Sequence, residues 1–212
     1  MRDSKNPLES IRNVVRHGMM QIAKALNKVS GGRLNPNAVT LFGFAMHLPI
    51  AVLIARGHFI YAAILLVIFG LFDALDGQLA RLQNRASQTG MLLDSVTDRM
   101  KEVIIYIGIG YFFVWSSHPN YAVWTIAACG ASVVVSYINA WGEVVTKDIK
   151  DDGHVTNKAF RGGLMTFDVR MFVIIIGLLA NQLPVAIVII AVLAWFTAFG
   201  RLYRISGYLK RA

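Results

Sequence analysis

The chain has 212 residues, of which 56% are hydrophobic and 16% charged, with a formal net charge of +9. The apolar residues run together instead of alternating with polar ones, which excludes an ordinary soluble domain and points to a membrane protein. The single cysteine, Cys129, excludes an intramolecular disulfide, and its apolar setting reads as core packing.

The first element expected is a helix that does not cross the membrane. Ile11, Val14, Val15, Ile22, Leu26 and Val29 recur at helical spacing, with Arg12, Arg16, Lys24 and Lys28 on other faces. That pattern predicts an amphipathic helix on the cytoplasmic membrane surface, within a juxtamembrane segment of residues 1–34. No short apolar run stands before a small-residue cleavage site, so no signal peptide is expected. Gly31-Gly32 ends the helix. Asn35-Pro36 opens the next, with Asn35 as N-cap and Pro36 at N1.

Residues 35–212 read as one all-α integral membrane domain of six transmembrane helices. The spans fall at about Asn37–Ala55, Phe59–Ala80, Leu92–Trp115, Tyr121–Val144, Met171–Ala180 with flanks, and Val185–Phe199 with flanks. Each approaches the ~20 residues a bilayer crossing needs. With six spans both termini share a side. On it fall all 12 Asp and Glu residues and every one of the 21 Lys and Arg residues except Arg56. The opposite loops (Arg56 to His58, Ser116 to Asn120, Asn181 to Pro184) are short and nearly uncharged. The positive-inside rule therefore predicts a multi-pass cell-membrane protein with both termini and the acidic residues facing the cytoplasm. The positive charge reads as topology and affinity for anionic lipid. No zinc-finger, helix-turn-helix or RNA-binding pattern is present, so no nucleic-acid partner is expected.

The chemistry is concentrated where the second span ends and the third begins. Asp73 and Asp76 precede a loop at roughly Gln83 to Thr89, and Asp94 and Asp98 follow it. Residues three or four apart share a helix face, so each helix carries an acidic stripe, and the short loop makes the two antiparallel neighbours. Ionisable residues at membrane depth are functional sites by default. Four carboxylates repel one another unless cations neutralise them, and an all-oxygen donor set suits a hard divalent ion such as Mg²⁺. Gly77 and Ala80 leave room for a ligand beside the backbone, and Arg81 has the fork that binds phosphate oxygens. Together these residues suggest phosphoryl chemistry.

Written as D-x2-D-G-x2-A-R-x8-G-x3-D-x3-D, the pattern is met at every fixed position by Asp73, Asp76, Gly77, Ala80, Arg81, Gly90, Asp94 and Asp98. It resembles the signature of the CDP-alcohol phosphotransferases, integral membrane enzymes that make phospholipids from a CDP-activated donor. Weaker similarity extends to Pro36, Asn37 and Thr40, to Ser136, Tyr137 and Glu143, and to Arg170 and Arg201. The resemblance implies that Asp73, Asp76, Asp94 and Asp98 hold two divalent cations, Mg²⁺ or Mn²⁺, and that Asp98 is also the general base. It implies a CDP-donor pocket at Asn37, Thr40, Asp73, Gly77, Ala80 and Arg81, release of CMP, and a homodimer.

For the acceptor, Asp94-Ser95 and Asp98-Arg99 look more like the inositol-phosphate branch than the glycerol-phosphate branch. Arg170 and Arg201 match family positions near that pocket, and Lys147 and Arg161 lie in the same cytoplasmic stretch, so these four are the expected acceptor-binding residues. The segment Ser136 to Glu143 departs from the family, with Asn139 and Trp141 where basic residues are expected; Phe167 replaces another. Glycerol phosphate, serine or another alcohol therefore stays open as acceptor, and the donor lipid is phosphatidyl or archaetidyl. Two remoter readings, a membrane prenyltransferase and a cation transporter, are disfavoured. The first uses motifs in separated halves of a longer chain, and the second spreads its acids near the bilayer midplane.

Overall fold

The structure, a computed structural model, describes residues 7–146 and 163–210, with the side chains of residues 7–16 and of Asp73 outside that description. Among the described residues all regular structure is helical. In chain order the helices are α1 (Pro7–Val29), α2 (Pro36–Ala55), α3 (Phe59–Gly70), α4 (Phe72–Leu82), α5 (Gln88–Val114), α6 (Tyr121–Val145), α7 (Phe167–Leu179) and α8 (Leu183–Leu209).

Local chemistry sets the boundaries. Gly31 and Gly32 take φ of 58° and 75°, a conformation costly for residues with a Cβ, and the Gly32 amide closes onto the Asn27 carbonyl at 2.8 Å. Asn35 Oδ1 then accepts the Asn37 amide at 3.0 Å, with Pro36 in the first helical position. Leu71, between α3 and α4, keeps α-region angles (φ −74°, ψ −20°), so the two run on as one apolar segment.

Among the described residues four segments are long and apolar enough to cross a membrane: Pro36–Ala55, Phe59–Leu82, Tyr121–Val145 and Leu183–Leu209. The other two expected crossings differ for physical reasons. The helix α5 is 27 residues long, but Asp94, Asp98, Arg99, Lys101 and Glu102 all fall between its start and its middle turn. The helix α7 has 13 residues, about 20 Å of helix against a hydrocarbon core of about 30 Å.

The chain divides into two compact units, residues 1–50 with 64–101, and residues 51–63 with 102–212. In the first, α1 packs on α4. Met19 and Ala23 of α1, Val39 of α2, and Leu75 and Leu79 of α4 form a buried cluster, flanked by Leu34, Phe72 and Ala74. Gln83 ties the end of α4 to α1 and the following turn through Asn27 Oδ1 and the Leu34 carbonyl, both at 2.9 Å. The face of α1 that docks is thus the one with Met19 and Ala23, while Ile22, Leu26 and Val29 stay exposed.

In the second unit the principal interface is between α6 and α8. Ala131, Val135, Ala194 and Ala198 meet there with Met165, and the three alanines let helices approach closely where no hydrophobic drive exists in lipid. The same principle operates at Gly108. A Cβ there would lie 2.5 Å from the Ala51 carbonyl oxygen. Outside these cores large apolar groups such as Ile107, Trp115, Ile126, Phe172 and Phe196 face outward, as lipid-facing surfaces do.

Candidate active site

The acidic motif lies entirely in the first unit, on α4 and the start of α5, with the start of α2 beside it. On α4, Asp76 is buried, Gly77 and Arg81 are exposed, and Ala80 is half-buried. A Cβ added to Gly77 would meet nothing within 4 Å, so the backbone there is open to a ligand. Asp73 shares the helix, but its side chain is outside the described set.

Thr40 connects α2 to the site. Its hydroxyl donates to Asp76 Oδ2 at 2.5 Å and lies 3.3 Å from the Pro36 carbonyl. A hydroxyl has one proton, and the short contact to a carboxylate is the stronger bond. Burial of Thr40 and Asp76 keeps water from competing.

The α5 side is shaped at its first turn. Ser87 Oγ accepts the Gly90 amide at 3.0 Å, as an N-cap residue does for the third residue of its helix. A Cβ on Gly90 would lie 3.2 Å from that oxygen and 3.4 Å from Asn37 Oδ1. Glycine at this signature position therefore lets α5 start directly against Asn37. One turn on, Asp94 Oδ1 is buried and has no hydrogen-bond partner among the described residues. Such an atom is costly unless a ligand satisfies it, and a carboxylate oxygen is what a hard cation takes. Asp98 differs. Lys101 Nζ donates to its Oδ1 at 3.2 Å, and Arg99 Nη2 lies 4.0 Å from Oδ2. Among the described residues no three acid, histidine or cysteine side chains gather as a metal-holding group.

His47, on α2, is buried with Nδ1 2.7 Å from the Gly43 carbonyl, a packed histidine.

The expected acceptor-binding residues divide. Lys147 and Arg161 lie outside the described residues. Arg170 and Arg201 are buried in the second unit. Arg170 bonds Glu102 with both arms of its fork, Nε to Oε1 at 2.6 Å and Nη2 to Oε2 at 2.9 Å, and Nη1 reaches the Met165 carbonyl at 2.7 Å. Arg201 Nη1 donates to the Val135 carbonyl at 3.2 Å. Asn139 Nδ2 donates to Glu143 Oε1 at 3.1 Å on the exposed face of α6.

Residues 33–200 match the family profile described as CDP-alcohol phosphatidyltransferase. The chain belongs to that family. The phosphatidyltransferase is 30% identical over 194 residues to the phosphatidylinositol phosphate synthase of Corynebacterium glutamicum, covering 90% of this chain and 82% of that one. It is 29% identical over 205 residues to the archaetidylinositol phosphate synthase of Pyrococcus horikoshii, covering 96% and 98%. Its fold is similar to that of the Mycobacterium tuberculosis phosphatidylinositol phosphate synthase, solved with CDP-DAG bound, at a TM-score of 0.75 and 24% identity, over 88% of this chain and 92% of that one. A structure of that mycobacterial enzyme has also been solved with manganese and citrate.

Two residues of the transferase escaped sequence reasoning. Lys101 was legible in principle, since it stands three residues after Asp98 on the same helical face. Glu102 was legible as the last acid before an apolar run, where only a partnered charge is tolerated; which partner it takes was not.

Proposed function

We propose that this phosphatidyltransferase moves a phosphatidyl or archaetidyl group from a CDP-linked lipid to inositol phosphate, releasing CMP. The observation that carries the reading is the placement of the signature. Asp76 linked to Thr40, Asn37 against Gly90, and the unsatisfied Asp94 oxygen all belong to one unit at the meeting of three helix ends. The names of the relatives from Corynebacterium and Pyrococcus support inositol phosphate as the acceptor.

In this reading Asp73, Asp76, Asp94 and Asp98 hold two divalent cations, Mg²⁺ or Mn²⁺. The bare Asp94 oxygen and the all-carboxylate donor set fit such ions. When bound, they neutralise the diphosphate and stabilise the departing CMP. Thr40 orients Asp76. Asn37, Gly77 and Ala80 line the cytidine side of the donor, and Arg81, exposed at the end of α4, binds phosphate. Asp98 takes the proton of the acceptor hydroxyl as its oxygen forms a bond to the lipid-bearing phosphorus, and the bond from that phosphorus to CMP breaks. Such transfers depend on positioning and charge neutralisation more than on covalent chemistry by the protein. Lys147 and Arg161 are assigned to the acceptor phosphate. Arg170, with its fork on Glu102, is assigned to hold α5 and α7 together, and Arg201 stays an acceptor candidate.

The same reading includes six crossings, with α5 and α7 as the third and fifth, preceded by α1 on the membrane surface. The exposed Ile22, Leu26 and Val29 support the latter. It places the acids and both termini at the cytoplasmic face of the cell membrane, and the protein as a homodimer.

The test is CMP release by purified protein in detergent with CDP-diacylglycerol or CDP-archaeol, Mg²⁺, and either inositol phosphate, inositol, glycerol phosphate or serine. Release that requires inositol phosphate and stops with EDTA is expected. Release stimulated only by another alcohol would replace the acceptor, and metal-independent release would remove the metal site.

A further inference from the structure

Lys101 stands out as a buried cation inside the acidic motif. Its side chain is 2% exposed, and its ammonium sits 3.2 Å from Asp98 Oδ1. A lysine ammonium is a compact, strongly hydrated charge that is costly to bury without carboxylate partners. Here its carboxylate partners include Asp98, one of the acids assigned to the metal ions, and the contrast of Asp98 with Asp94 is informative. Asp94 presents a bare oxygen, whereas Asp98 Oδ1 already has a cation on it.

From this arrangement we infer that Lys101 is a positioning residue that competes with a divalent cation for Asp98. It leaves Asp94 open to metal and holds Asp98 as an ion pair until the donor's diphosphate adds negative charge to the site. One carboxylate oxygen cannot satisfy an ammonium and a divalent ion fully at once, and the two cations repel each other at such distances. The donor-free protein should therefore bind metal more weakly than its acids alone would allow, and donor and metal should bind cooperatively. The inference rests on the proposed metal site.

The test is Mn²⁺ binding to the donor-free protein in detergent, followed by electron paramagnetic resonance, for wild type and Lys101→Met. Methionine keeps an unbranched chain of similar length and removes the charge. Lys101→Met should bind Mn²⁺ at least about tenfold more tightly, equivalent to about 1.4 kcal/mol. In an Asp98→Asn background the same substitution should have a much smaller effect. Lys101→Gln serves as a second neutral variant should the methionine protein prove unstable. If wild type binds Mn²⁺ and the neutral variants bind it equally or more weakly, competition is overturned while the metal site stands. If no form binds Mn²⁺, even with CDP-diacylglycerol present, the metal site itself falls and the inference with it. Metal-free thermal stability provides the structural control: a neutral variant that melts lower and is not restored by Mn²⁺ would make Lys101 a scaffold residue only.

Discussion

Removing the Arg170 side chain tests whether it serves as scaffold or as acceptor ligand. In the structure the guanidinium is fully buried, two of its bonds go to Glu102, and a third goes to the Met165 carbonyl. With side-chain exposures of 1% and 3%, the pair is hardly screened by solvent. Arg170→Ala leaves Glu102 as an uncompensated buried carboxylate, and breaking one partner of such a pair costs about 3–5 kcal/mol. For a chain of this size, that corresponds to a fall in Tm on the order of 10 °C. Lysine lacks the bidentate fork, so Arg170→Lys should recover only part of the loss. Replacing both partners, as Glu102→Met with Arg170→Met, should recover most of it, because apolar groups of similar volume often substitute for a buried pair with little net cost. The assay is thermal unfolding in detergent at a fixed scan rate, alongside CMP-release kinetics at varied inositol phosphate. An unchanged Tm for Arg170→Ala, with a raised KM for the acceptor alone, would refute the reasoning and make the arginine a direct ligand.

Thr40→Val should lower Tm by several degrees and reduce turnover, since a hydrogen bond to a charged group is worth about 1.5–3 kcal/mol; unchanged melting and activity would show that Asp76 does not need its α2 partner. Asp98→Asn should abolish CMP release while CDP-lipid binding, measured by calorimetry, persists. Retained turnover would remove Asp98 as the base. Arg81→Ala should raise the Kd for the CDP-lipid; a change confined to acceptor affinity would invert the proposed orientation of the pocket. Gly108→Ala should destabilise by about 1–3 kcal/mol, as overpacking does, because its Cβ would approach the Ala51 carbonyl oxygen to 2.5 Å. Wild-type melting would show that α5 yields there without cost.

Much of the site was legible in the sequence because a helix converts spacing into a shared face. Asp73, Asp76, Gly77, Ala80 and Arg81 had to share α4, and Asp94 and Asp98 one face of α5, once the apolar runs around them were read as helices. The N-cap at Asn35, the stop at Gly31-Gly32 and the four long apolar segments were legible for the same local reason. The docking face of α1 was not. Its helical spacing picked out Ile22, Leu26 and Val29, whereas packing on α4 buried Met19 and Ala23 and left those three exposed.

Sequence by itself determined the family, the signature acids and the helical class, because these depend on residue identity and short-range periodicity. Tertiary structure decided which charges meet. Glu102 is 68 residues from Arg170 in the chain, and Thr40 is 36 from Asp76; no periodicity relates residues so far apart. Only packing brings them together, and the high cost of a buried unpaired charge then holds each pair in place.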